Sequence, residues 1–172
     1  MEPQELTEAI EKANGQKERK IGLTLAVIAA CLASVTLMGH RLHTEETVQQ
    51  TKAADGWAFF QAKNGRYHMY SADAKLAELI GPQGASVAKE WRKKAEEERA
   101  DAERIRHDDE QLDEETHAIA RRATFFDAAE MCLEVAIVLC SVALLTGTLL
   151  FWRMSFLGAA VGVAVAAAGF LR

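Results

Sequence analysis

From Ile21 to Gly39 the chain reads IGLTLAVIAACLASVTLMG, an apolar run without one charged residue. As a helix it comes close to the roughly 20 residues needed to cross a hydrocarbon core. Thr24, Ser34 and Thr36 can return their hydroxyls to backbone carbonyls, so they do not forbid insertion. A cleaved signal peptide is the rival reading. Its apolar core would be shorter, and Met38, Gly39, His40 and Arg41 make a poor small-residue cleavage site. The sequence therefore predicts an uncleaved transmembrane helix over residues 21–40, after an N-terminal segment of residues 1–20. Within that segment, Pro3 to Ala13 offers Leu6, Ile10 and Ala13 on one side of a short helix. An interfacial helix lying on the membrane and a frayed terminus both remain open.

A second apolar region starts near Asp127 and runs almost to the end of the chain, too long for one crossing. Thr146-Gly147-Thr148 is the best break, because glycine is the natural residue just past a helix C-terminus. Two further transmembrane helices are expected, over residues 128–146 and 149–171. Arg153 then lies in the first turns of the last helix and can snorkel to the headgroups. A turn at Arg153 itself is the alternative and leaves the topology unchanged. The last helix carries Gly158, Gly162 and Ala166 four apart on one face, a pattern that lets helix backbones approach closely in lipid, within one chain or between copies. Ala26, Ala30 and Ser34 repeat the spacing on the first span.

Charge is segregated away from these runs. Between Met131 and Arg172 only Glu134, Arg153 and Arg172 are charged, whereas residues 41–130 hold 14 Lys and Arg against 19 Asp and Glu. The net charge of -5 argues against a general nucleic-acid binder. Cys31, Cys132 and Cys140 fall in apolar segments, without metal-ligand spacing, and behave there as small hydrophobes.

The intervening region, residues 41–127, has one strong break, Gly81-Pro82-Gln83-Gly84, with helix formers on both sides. After it, every seventh residue gives Trp91, Glu98, Ile105, Leu112, Ile119, Phe126 and Leu133. Three positions earlier stand Ala88, Ala95, Ala102, Asp109, Thr116, Ala123 and Glu130. Large residues thus alternate with small ones at the 3.5 spacing of a coiled-coil seam. No proline or glycine interrupts the pattern, so one continuous helix is expected from the turn to about Leu145. Before the turn, Ala53, Trp57, Phe60, Tyr67 and Ala74 form a similar stripe, with Asn64 and Ser71 as polar members and Gly56 and Gly65 as weak points. Thr44-Glu45-Glu46-Thr47 either caps a fresh helix or continues the first span. The expected fold is an all-α membrane protein: three transmembrane helices, with a long antiparallel helical hairpin, turning at residues 81–84, between the first two. Each arm should measure roughly 60 Å at 1.5 Å per residue.

Lys12, Lys17, Arg19 and Lys20 precede the first span and Arg153 falls on the same side, against Arg41, Arg121 and Arg122 on the other. The positive-inside rule then favours a cytoplasmic N-terminus, with the hairpin and C-terminus outside.

Candidates for chemistry are few. Asp127, Glu130 and Glu134 share one side of the helix entering the second span, and Glu134 lies about one turn inside it. An acid within a membrane is costly and suggests an ion site; in an oligomer these residues could form an acidic ring. The plainer expectation is headgroup-level carboxylates paired with Arg121, Arg122 or Arg41. The aromatics Trp57, Phe59, Phe60, Tyr67 and Tyr70, with His68, either line a ligand site or, as expected, pack against the other arm. Trp91 to Arg106 is rich in opposite charges four apart and reads as a solvated helix face. His40, His43, His68, His107 and His117 show no zinc-like grouping, and no phosphate loop, catalytic triad or Cys-x-x-Cys is present. No catalytic, metal or cofactor site is expected.

The stretch DGWAFFQAKNGRYHMY, Asp55 to Tyr70, resembles a bacterial family known as domain of unknown function 4337. Its members typically carry a W-A-x-x-Q-A-K element followed by arginine, matched here by Trp57, Ala58, Gln61, Ala62, Lys63 and Arg66. The layout of one apolar span near the start and two near the end is similar. Thr146-Gly147-Thr148 stands where the family pattern has basic residues. The resemblance implies a bacterial cytoplasmic membrane and no particular activity. It makes Trp57, Gln61, Lys63 and Arg66 candidates for packing or partner contact. The function expected is a membrane component that self-associates or joins a larger complex, with an oligomeric channel using Glu134 as the alternative.

Overall fold

The computed structural model describes residues 3–171, with side chains from residue 14 onward. The stripe of Leu6, Ile10 and Ala13 therefore lies outside the described side chains. The described residues form three helices: α1 (Pro3–Leu79), α2 (Ala85–Thr146) and α3 (Leu149–Leu171). Each contains a stretch long and apolar enough to cross a membrane. The segment before the first apolar run is not a separate helix, because α1 begins at Pro3. Nor does Thr44 start a new helix: its hydroxyl donates to the His40 carbonyl oxygen at 2.8 Å, one turn back, and α1 continues.

The chain divides into two compact units, residues 1–44 with 120–172 and residues 45–119. The first is a three-helix bundle. Ile21, Ile28, Val35 and Leu42, seven apart on α1, are buried. So are Phe126, Leu133 and Cys140 on α2, together with Ala129, Ala136 and Ala143. The Cys140 thiol donates to the Ile21 carbonyl oxygen at 3.6 Å. Helices in lipid gain little from excluding water, so close packing must hold them together. The glycines of α3 supply it: a Cβ on Gly158 would meet Ala136 Cβ at 3.3 Å, and one on Gly162 would stand 2.9 Å from Leu133 Cγ. The face of Gly158, Gly162 and Ala166 is thus spent inside the chain. Ala26, Ala30 and Ser34 remain exposed on the outside of the bundle. Between α2 and α3 the chain turns at Gly147, whose φ of +67° is one that L side chains rarely adopt.

The second unit is an antiparallel helical hairpin. Gly81 (φ +84°) opens its turn, and Gly84 N–H donates to the Gly81 carbonyl at 2.9 Å. A Cβ on Gly84 would overlap the Ala77 carbonyl oxygen, so this glycine allows the arms to meet at the turn. Ala88, Ala95, Ala102 and Thr116 are buried on α2, facing a line on α1 that includes buried Ala74 and Ala77. Trp91, Ile105 and Leu112 are half-buried beside them. Tyr70 meets Trp91 with ring centroids 5.2 Å apart.

The stripe expected on the first arm is off at one place. Trp57 is 52% exposed. Gly56 takes the inward position instead, against Asp109 of the other arm, and a Cβ there would overlap the Asp109 carboxylate. The physical reason is the aspartate itself: where the small-residue line of α2 carries a carboxylate, the facing position must give up its side chain.

Candidate functional site

Two sets of residues stand out, one in each unit. In the bundle, the acids at the start of the apolar part of α2 fall into three different environments. Asp127 receives His43, whose Nε2 lies 3.0 and 3.2 Å from its two carboxylate oxygens. Glu130 is half-buried and accepts the Thr36 hydroxyl at 2.8 Å. Glu134 is exposed and has no hydrogen-bond or ion-pair partner among the described residues. The arginine pairings expected for these acids do not form among the described residues. Arg122 turns instead to the other end of the bundle's last helix, where its Nε donates to the Gly169 carbonyl at 3.5 Å. That carbonyl lies in the last turn of α3, where the helix dipole makes a cation a fitting neighbour.

The lining of the acids by helical spacing therefore does not make them one site. Asp127 and Glu130 are committed to α1, and only Glu134 is left for a ligand or for lipid.

In the hairpin, the W-A-x-x-Q-A-K element also divides by role. Lys63 Nζ lies 2.8 Å from Asp101 and 3.1 Å from Glu98, and Arg66 Nε lies 3.4 Å from Glu98. The bond to Asp101, then that to Glu98, holds the Lys63 ammonium above its ordinary range. In return Lys63 pulls Asp101 below the usual carboxylate range. Glu98, which occupies one of the large positions of the α2 seam, is explained by this pair of cations: an acid is tolerated in the seam because two bases meet it. The other members of the element face outward. Gln61 and Ala58 are exposed. Trp57 stacks on Phe60 with centroids 5.0 Å apart, and Phe59 is 64% exposed. The expected aromatic cluster thus separates, with Phe60, Tyr67 and Tyr70 turned inward and Trp57 and Phe59 to the surface.

Asp109 is the residue that sequence reasoning passed over. Its Oδ2 is buried without a hydrogen-bond partner among the described residues. Loss of solvent, and secondarily the neighbouring Asp108, push its carboxyl up from the ordinary value. The signal was an acid, with Glu130 one of two, in an otherwise small-residue line.

Among known proteins, the family model described as domain of unknown function (DUF4337) matches residues 17–172. No curated protein and no solved structure matches the chain.

Proposed function

We infer, from the premise that the chain belongs to the DUF4337 family, that it is a non-enzymatic membrane component that self-associates or serves as an accessory subunit of a larger membrane complex. The observation that carries this reading is the split within the W-A-x-x-Q-A-K element. Lys63 and Arg66 are consumed in holding the hairpin arms together, whereas Trp57 and Phe59 stand 52% and 64% exposed on a charged surface. Large aromatic side chains at a surface are the anchors that protein interfaces use most. The unspent small-residue face of Ala26, Ala30 and Ser34 supports a second contact, within the membrane. The setting is a bacterial cytoplasmic membrane, with the N-terminus in the cytoplasm, in keeping with Lys17, Arg19 and Lys20 before the first apolar run. Cross-linking and native mass measurement in mild detergent test the reading. A complex that weakens in the Trp57→Ser, Phe59→Ser variant supports it. A strictly monomeric species with no co-purifying partner overturns it.

A second reading is favoured by Glu134 alone, an acid exposed on an apolar helix without a partner among the described residues. In an oligomer, copies of Glu134 would attract cations. Liposome flux with Glu134→Ala and Glu134→Gln decides it. Absence of flux in the native protein, or flux indifferent to both changes, removes the channel.

A further inference from the structure

The bundle unit has an open groove of about 650 Å³ between α1 and α3, with an almost wholly apolar wall. Leu23 and Val27 line it from α1, and Phe156, Ala160, Val163 and Ala167 from α3. The alanines on α3 leave the space that larger side chains would fill. At one end of this groove both helices carry a cation. Lys20 stands three residues before Leu23 and seven before Val27, and Arg153 three before Phe156 and seven before Ala160. Residues at these spacings share a helix face. Both are exposed, and neither side chain has a hydrogen-bond or ion-pair partner among the described residues. Lys17, by contrast, is used internally, donating to the Gly147 carbonyl oxygen. Trp152 Nε1 donates to Thr24 Oγ1 at 3.3 Å, which sets the start of α3 beside the first lining turn of α1. The two cations therefore belong to the same end of the groove.

From Phe156 to Ala167 the helix rises about 16 Å at 1.5 Å per residue. That is about half of a hydrocarbon core roughly 30 Å thick, the depth of one leaflet. An occupant must match an apolar slot one leaflet deep and a pair of cations at its mouth. A helix from a second copy would run the whole crossing and has no need of the cations.

We propose that the groove between α1 and α3 binds an acyl chain of an anionic phospholipid, whose phosphate is held by Lys20 and Arg153. Arginine meets a phosphate through two parallel N–H donors, and lysine adds a compact point charge. Basic residues near a membrane surface each favour anionic lipid. The site depends on the chain being embedded in a membrane and is independent of the aromatic surface on the hairpin.

Trp152 reports on this site directly, because it touches Phe156 with centroids 5.4 Å apart and bonds Thr24. The full chain carrying Trp57→Phe and Trp91→Phe retains Trp152 as its one tryptophan. It is reconstituted in phosphatidylcholine vesicles that contain either phosphatidylglycerol or phosphatidylcholine with brominated tails. Brominated phosphatidylglycerol is expected to quench Trp152 at about tenfold lower mole fraction than brominated phosphatidylcholine. Lys20→Gln with Arg153→Gln should remove that preference. Ala160→Phe, which fills the slot, should weaken quenching by both lipids and leave the native mass unchanged. Equal quenching by the two lipids overturns the site, as does a preference that survives loss of both cations. Ala160→Phe that alters native mass and not quenching overturns it too, by marking the groove as a protein contact. Vesicle flotation separates the failures: a chain that does not float overturns the membrane reading along with the site, whereas unselective quenching of a floating chain overturns the site alone.

Discussion

The Lys63 ammonium donates to Asp101 at 2.8 Å, joining the two hairpin arms through a residue of the W-A-x-x-Q-A-K element. The bond holds Asp101 below the ordinary carboxylate value of 3.8 and Lys63 above the ordinary 10.5. A carboxyl lowered by folding contributes stability that is complete above its unfolded value and is lost as pH falls through the folded one. A lysine raised by folding contributes stability that is complete below its unfolded value and is lost as pH rises through the folded one. Amide protection over residues 56–70, taken relative to the unstructured exchange rate at each pH, should therefore fall below about pH 3.8 and above about pH 10.5. Lys63→Met should flatten both limbs. The exposed pair of Lys93 and Glu97, 3.7 Å apart, should matter far less, and Lys93→Met should leave the profile unchanged.

Gly56 and Asp109 make a coupled pair. Gly56→Ala on its own places a methyl group into the Asp109 carboxylate and should destabilise the hairpin. In an Asp109→Ala background that carboxylate is gone, and the same change should stabilise by about 1 kcal/mol, the usual helix preference of alanine over glycine. The opposite signs make a double-mutant cycle decisive. Asp109→Ala alone should also change the pH profile. Burial raises the Asp109 carboxyl in the folded chain, so ionisation opposes folding. Its penalty is absent below 3.8 and develops as pH rises through the folded value. The variant should gain stability at neutral pH and none in strong acid.

Within the bundle, Gly162 should tolerate alanine less well than Gly158. The new methyl would lie 2.9 Å from Leu133 Cγ and 3.0 Å from the Ala129 carbonyl at the first position, and 3.3 Å from Ala136 Cβ at the second. Overpacking of this kind costs about 1–3 kcal/mol. Unfolding in mixed micelles should show the larger loss for Gly162→Ala.

Three apolar helices and a charged hairpin could be read from the chain because the residues that decide them act locally. An uncharged run such as Ile21 to Gly39 has few places to go but lipid. Gly81 and Gly147 end helices through their own backbone freedom. The alanine line of α2 showed its inward face for the same reason, since Ala88, Ala95 and Ala102 repeat every seventh residue. What could not be read depends on the facing helix. Trp57 and Gly56 are adjacent, and only Asp109 across the seam decides which of them turns inward. Asp127, Glu130 and Glu134 are equivalent by spacing and differ only because Thr36 and His43 of α1 reach the first two. Gly158 and Gly162 suit another chain as well as this one by spacing, and only Leu133 and Ala136 packed against them decide between the two.

That difference among the acids predicts opposite responses. Glu130 accepts a hydroxyl from Thr36, so Glu130→Ala removes a bond between the helices and should cost about 0.6–1 kcal/mol. Glu130→Gln keeps an acceptor and should cost less. Glu134 has no partner among the described residues and lies exposed on an apolar helix. Glu134→Leu removes a charge from that environment and should stabilise the bundle in lipid. Reversible unfolding of the three variants in lipid separates the cases. A loss of stability in Glu134→Leu as large as that in Glu130→Ala would show that Glu134 is held inside the fold, and would leave it no role in conduction or contact.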